Sequence, residues 1–228
     1  MQIRIYSGGA PRAALKPLGA EYEQATGNSL AFTFDGVAAI RERLRAGEKA
    51  DVVLLPAGML EAMGAALLAG SRTLLARSPI GVAVRNGATE PDVSSPDAIR
   101  RTLLAARSIA YSDPKIAPSG IHLTKILANL GIAEAVHAKT VLRTPFDGGV
   151  ALVASGAVEI GLYLVSEIQA VEGVTLAGAL PAELQSYVIY AGAVAAQSPA
   201  PDAALAFLRF LGEPAARERW YAAGFESV

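Results

Sequence analysis

Two apolar patterns alternate along the chain. Short runs rich in β-branched and aromatic residues read as strands: IRIYS at 3–7, SLAFTF at 29–34, ADVVLLP at 50–56 and IGVAVR at 80–85. The series continues with SIAYSD at 108–113, TVLRT at 140–144, EIGLYLV at 159–165 and SYVIYAGAVAA at 186–196. Between them, helical spacing predicts helices over 13–25, 37–46, 59–68, 97–106, 121–130 and 149–154, with a closing helix over 202–211. Strand and helix in strict alternation indicate an α/β protein whose sheets are mostly parallel. The unbroken apolar run of ADVVLLP fits a strand covered on both faces. The pattern runs twice, which predicts two α/β lobes: residues 1–80 plus 192–228 form lobe 1, and residues 81–191 form an inserted lobe 2. Crossovers near 78–84 and 186–194 are expected to leave a ligand cleft between them.

Composition narrows the function classes. The 228 residues carry a net charge of −1 and are 52% hydrophobic, and no apolar run is long enough to span a membrane. Beyond RERLR at 41–45 there is no basic tract, so neither nucleic acid nor membrane insertion is expected. The sequence contains no cysteine and only two histidines, His122 and His137, far apart in the chain. No metal site and no cofactor are expected from such a set. The phosphate-loop and dinucleotide fingerprints are absent; GGAPRA at 8–13 lacks the third glycine of the latter. No signal-peptide pattern precedes the first strand, which predicts a cytoplasmic protein as written, or a periplasmic one if a leader has been removed.

Four strand-to-helix junctions share one chemistry. They are Ser7-Gly8-Gly9-Ala10-Pro11, Asp35-Gly36-Val37, Pro118-Ser119-Gly120 and Phe146-Asp147-Gly148-Gly149. Small residues there admit a ligand close to the backbone, and the first helical turn offers N–H groups and a dipole that favour an anion. Any one such loop is as readily a plain turn or cap; the fourfold recurrence at the carboxyl ends of strands points to an anion site.

With those loops in place, the chain resembles the molybdate-binding-protein-like branch of type II periplasmic solute-binding proteins. The resemblance spans nearly the whole length, through YEQATG, LRAGEKADVVLLPA, SDPKIAPSGIHLTKILANLG, GGVALVASGAVEIGLYLVSEI and GEPAARERWYAAGF. It implies a two-lobed fold joined by two crossover strands, a small anionic ligand, and an ABC transporter permease as partner if the protein is exported. Oxyanion-binding members use hydroxyl side chains in the first two loops. Here those loops hold Gly8, Gly9 and Ala10, then Asp35, Gly36 and Val37. Asp35 beside a molybdate dianion would be repulsive unless a cation or proton intervened, so an organic polycarboxylate is the expected ligand.

Arg12, Arg41, Lys115, His122 and Arg143 lie in or near the loops as carboxylate partners, whereas Arg43 and Arg45 are expected on a solvated helix face. In lobe 2, Ser119, Gly120, Phe146 and Asp147 complete the contact set, and Tyr163 lies near the family's ligand tyrosine. The resemblance also implies an alternative, because the branch includes aconitate isomerase-like proteins: an intracellular isomerase acting by an allylic proton shift. Asp35, His122 and Tyr163 are the acid/base candidates for that chemistry, with Lys115 as a further one.

Overall fold

The computed structural model describes residues 1–144 and 146–228. Its contacts divide the chain into unit 1, Met1–Arg77 with Ile189–Val228, and unit 2, Ser78–Val188. Unit 1 begins β1 (Gln2–Ser7), α1 (Arg12–Thr26), β2 (Ser29–Phe34), α2 (Val37–Arg45), β3 (Val52–Pro56) and α3 (Ala57–Glu61). The long strand β4 (Thr73–Arg85) then carries the chain into unit 2. Unit 2 follows with α4 (Pro96–Ala105), β5 (Ile109–Tyr111), α5 (Pro118–Asn129), α6 (Ala133–His137) and β6 (Thr140–Leu142). It ends with α7 (Gly149–Ala154), β7 (Ile160–Leu164), α8 (Val165–Ile168) and β8 (Val174–Ala179). Strand β9 (Tyr187–Val194) returns the chain to unit 1, which closes with α9 (Pro201–Gly212) and α10 (Arg217–Ala222).

In unit 1, β1 lies between β2 and β3 and is parallel to both, and β9 runs antiparallel along β3. Val52, Val53, Leu54 and Leu55 of β3 are completely buried, each contributing about 1.5–3 kcal/mol by leaving water. Helix α1 lies close to β2 because Gly19 leaves room: a Cβ there would sit 2.8 Å from the Phe32 ring. The helix ends at Gly27, whose φ of 70° lets its N–H reach the Glu23 carbonyl. At the entry to β3, the buried Asp51 accepts from the Arg4 N–H at 2.8 Å, the Arg4 Nε at 3.0 Å and the Ser198 hydroxyl at 2.7 Å. Burial alone would lift this carboxyl. The donors from Arg4 and Ser198 outweigh it and hold the group below its ordinary range.

In unit 2, β5 pairs parallel with β6 and β7, while β7 and β8 run antiparallel to β4. The core gathers Ile99, Leu103, Ile109, Tyr111, Leu123, Leu127 and Leu162. Helix α4 starts at a Ser95 cap whose hydroxyl accepts from the Ala98 N–H, with Pro96 in the first turn.

Each sheet is therefore mixed, with a parallel part that carries the loops of interest. The helix expected over 59–68 is instead α3 followed by a short 3-10 turn at Gly64–Ala66, because Gly64 takes φ +49° and breaks the run. Strand β8 lies where no element was expected. Its residues Val174–Gly178 are all half-buried, so they lack the alternation that marks a strand in sequence. Among the described residues no helix is long and apolar enough to cross a membrane.

Candidate functional site

In unit 1 the parallel strands β1 and β2 end level with each other, Ser7 opposite Phe34. This places residues 8–11 and 35–36 side by side at one edge of the sheet. The Gly8 N–H donates to the Leu54 carbonyl at 3.0 Å, and a Cβ on Gly8 would meet the Tyr190 ring at 3.8 Å. The Gly9 carbonyl accepts from the Arg12 N–H, closing the turn into α1, and Ala10 is buried. Arg12 itself is exposed, its guanidinium carbon 5.1 Å from the centre of the Phe34 ring. Gly36 faces open space, and Val37 packs inward on a core that includes Tyr6, Ile40 and Leu60.

Asp35 is not a free carboxylate. One oxygen accepts from the Gly36 N–H at 2.8 Å, and the other lies 3.3 Å from the Arg43 Nε. Arg43 is exposed, as expected of a solvated helix face, and from there it bridges Asp35 to Glu48, which also accepts from the Tyr6 hydroxyl at 2.7 Å. Arg43 is thus the cation that the repulsion argument for Asp35 allowed as an exception. With Arg43 beside it, Asp35 no longer speaks by repulsion against a dianion at this edge. Arg41 points elsewhere, lining a cavity with Leu44, Met63 and Ala66. The neighbouring cavity of about 270 Å³ is lined by Glu48, Lys49 and Ala50 near the entry to β3.

In unit 2 the parallel strands β5, β6 and β7 also end at one edge. After β5 the chain folds into a tight turn. Asp113 accepts the Lys115 N–H on its side chain at 2.9 Å and the Ile116 and Ala117 N–H groups on its carbonyl. Helix α5 then starts with Pro118, and Ser119 and Gly120 in its first turn are buried. A Cβ on Gly120 would fall 2.1 Å from the Ser112 carbonyl oxygen and 2.8 Å from the Pro114 nitrogen. The spacing of DPKIAPSG therefore has a steric reason: the glycine makes way for the chain's own turn. His122, half-buried in the same helix, places Nε2 at 2.9 Å from the Leu184 carbonyl. A carbonyl only accepts, so Nε2 donates there, and Nδ1 has no hydrogen-bond partner among the described residues.

After β6, the Asp147 carboxylate accepts from the Thr144 hydroxyl at 2.5 Å, and Phe146 is exposed. Gly148 caps α7 with φ +79°. Beneath this loop the Tyr163 hydroxyl donates to the Arg143 carbonyl at 3.0 Å, and a Cβ on Gly149 would strike that hydroxyl at 2.3 Å. Tyr163 is fully buried and burial raises its pKa far above the ordinary phenol range. Its hydroxyl supports the loop and is committed there. The side chains of Lys115 and Arg143 are exposed and have no carboxylate partner among the described residues. Among the described residues no three His, Asp or Glu side chains gather as a metal cluster.

Glu167, in the first turn after β7, is a residue that sequence reasoning missed. Burial pushes its carboxyl up to about 7, against the smaller opposing effect of the Leu164 N–H that donates to it at 3.1 Å. The available signal was a Glu placed to reach back to the residue before its helix. A raised carboxyl costs nothing below its unfolded value of 4.5 and costs stability as pH rises through about 7. Glu167→Gln keeps an acceptor for Leu164 and removes the charge. The variant should be more stable than the parent by on the order of 2 kcal/mol at pH 8 and indistinguishable near pH 4.5. Melting curves across that range check this; parallel pH profiles for the two proteins would refute it.

In each unit a set of parallel strand ends opens into short loops and helix starts, the arrangement of an α/β fold. A family model described as bacterial extracellular solute-binding protein matches residues 3–226, and the chain belongs to that family. It is 33% identical over 234 residues to an aconitate isomerase from a Pseudomonas species, covering 99% of this chain and 88% of the relative. The periplasmic molybdate-binding protein of Azotobacter vinelandii has the same fold, with a TM-score of 0.81 and 20% identity over 98% of each chain. So has Campylobacter jejuni PEB3, solved with L-phospholactate, at a TM-score of 0.77 and 14% identity over 99% of this chain and 100% of that one.

Proposed function

We propose that this protein captures a small organic polycarboxylate of the aconitate class at its strand-end loops. The observation that carries this reading is the set of cations beside the loops, Arg12, Lys115 and Arg143, which have no carboxylate partner among the described residues. A ligand with several carboxylates supplies those partners, and charge-assisted pairs of this kind are the strong ones. The full-length likeness to an aconitate isomerase supports the same class, and the lack of a hydroxyl at Ala10 and in Asp35-Gly36-Val37 argues against molybdate. Calorimetric titration with trans-aconitate, tricarballylate, molybdate and sulfate tests it. The tricarboxylates should bind with Kd in the micromolar range, about −8 kcal/mol, and molybdate should not; binding of molybdate alone would overturn the reading.

A second reading, favoured by the same relative and by His122, whose Nδ1 has no partner among the described residues, is that the bound acid is also isomerised. A base takes a proton from the methylene carbon, which is both α to a carboxylate and allylic. The electron pair delocalises into a dienolate, and a proton returns at the far end of the three-carbon unit, so the double bond moves with no redox change. Asp35 and Tyr163 are committed to other partners. His122, its Nε2 given to Leu184 and its Nδ1 without a partner among the described residues, is the candidate base, and cationic groups at the ligand would stabilise the developing negative charge.

A further inference from the structure

We infer that Phe34 is a positioning residue: its ring holds the face of the Arg12 guanidinium so that the guanidinium edge receives one carboxylate of the ligand. This rests on the polycarboxylate reading above and adds to it the device that selects a planar carboxylate. Arg12 is the first residue of α1 and is exposed, yet its guanidinium carbon stands 5.1 Å from the centre of the Phe34 ring. The ring is itself fixed from below. Phe34 stacks on Phe32 at 5.5 Å with only 7° between the planes, and Phe32 meets the fully buried Phe207 edge-on. Gly19 gives Phe32 the space to lie against α1. A column of aromatic rings thus rises from the core to the strand end and carries a cation at its top, beside residues 8–11.

The division of labour is particular to arginine. An aromatic ring attracts a guanidinium through its face, whereas a carboxylate pairs with its N–H edge in the guanidinium plane, so both contacts can be made at once. A lysine ammonium has no separate face and edge to offer. The bland account of the same contact is local packing at the start of a helix, which helps folding slightly and contributes nothing to the ligand.

The test combines a spectroscopic and a binding readout on the full chain, with tricarballylate as probe. In the parent, the Arg12 side-chain proton resonances should be shifted upfield by the ring current and should return to ordinary positions in Phe34→Leu. Phe34→Leu should bind tricarballylate about 5- to 10-fold more weakly and Arg12→Lys about 10-fold or more, while Phe34→Tyr restores parental affinity. In an Arg12→Ala background the Phe34→Leu loss should vanish. Parental affinity in Phe34→Leu, or an equal loss with and without Arg12, overturns the inference and leaves the polycarboxylate reading standing. A parent that binds no polycarboxylate overturns both. Should Phe34→Leu not fold, Arg12→Lys at its exposed position carries the binding test, and parental affinity there overturns the inference.

Discussion

Gly120→Ala should destabilise unit 2 by about 3 kcal/mol or more and weaken ligand binding with it. One added methyl would lie 2.1 Å from the Ser112 carbonyl oxygen, 2.8 Å from the Pro114 nitrogen and 2.9 Å from the Asp113 carbonyl carbon. All three are backbone atoms, so no side chain can swing aside. The turn at 112–117 has to move away from the first turn of α5. That turn is stitched by Asp113 to Lys115, Ile116 and Ala117, so the shift breaks hydrogen bonds as well as packing. Overpacking in a dense interior ordinarily costs about 1–3 kcal/mol, and three backbone clashes place this site at or beyond the top of that range. For a chain of this size the melting temperature should fall by about 6–12 °C. Gly36→Ala is the control, because a Cβ there meets nothing within 4 Å. If Gly120→Ala melts like the parent, the close approach of turn and helix is wrong.

The same glycine shows what could and could not be read from sequence. That Ser119 and Gly120 open a helix after a strand was legible, since Pro118 and the small residues mark a helix start. The reason for the glycine was not, because it is set by a turn that folds back on the helix. The room expected for a ligand at Gly8, Gly120 and Gly149 is bordered or filled by the chain's own Tyr190 ring, its 112–114 backbone and the Tyr163 hydroxyl. The mixed α/β fold was legible because buried strands such as β3 are apolar throughout while the helices are amphipathic. Strand β8 was not, because it is half-buried along most of its length.

Charge pairing was the other hidden layer. Nothing in spacing reveals that Arg43 turns back to Asp35 and Glu48, or that Arg12 rests on Phe34 at the end of the adjacent strand. These pairings sort the candidates. A carboxylate already holding Arg43 and an amide is a poor base, and a phenol whose proton is given to a carbonyl is a poor acid. By the same accounting, the cations left without carboxylate partners are the ones available to a ligand.

His122→Gln should separate capture from chemistry. The glutamine amide can still donate to the Leu184 carbonyl, replacing the Nε2 contact at 2.9 Å, so the start of α5 and the 180–186 segment keep their tie. What the amide cannot do is accept a proton, because it has no counterpart of the Nδ1 lone pair. If His122 is the base of an allylic shift, conversion of trans-aconitate followed by NMR should fall about 10²- to 10⁴-fold. Tricarballylate, which binds but has no double bond to move, should keep its affinity within about threefold, and the melting temperature should stay near the parent's, since an exchanged neutral donor changes net hydrogen bonding little. A parallel loss of affinity and conversion would make His122 a binding residue. Undiminished conversion by the variant would remove it from the reaction. A parent with no conversion at high protein concentration would leave the chain as a solute-binding protein, with His122 a helix-to-loop tie whose free nitrogen contacts the cargo alone.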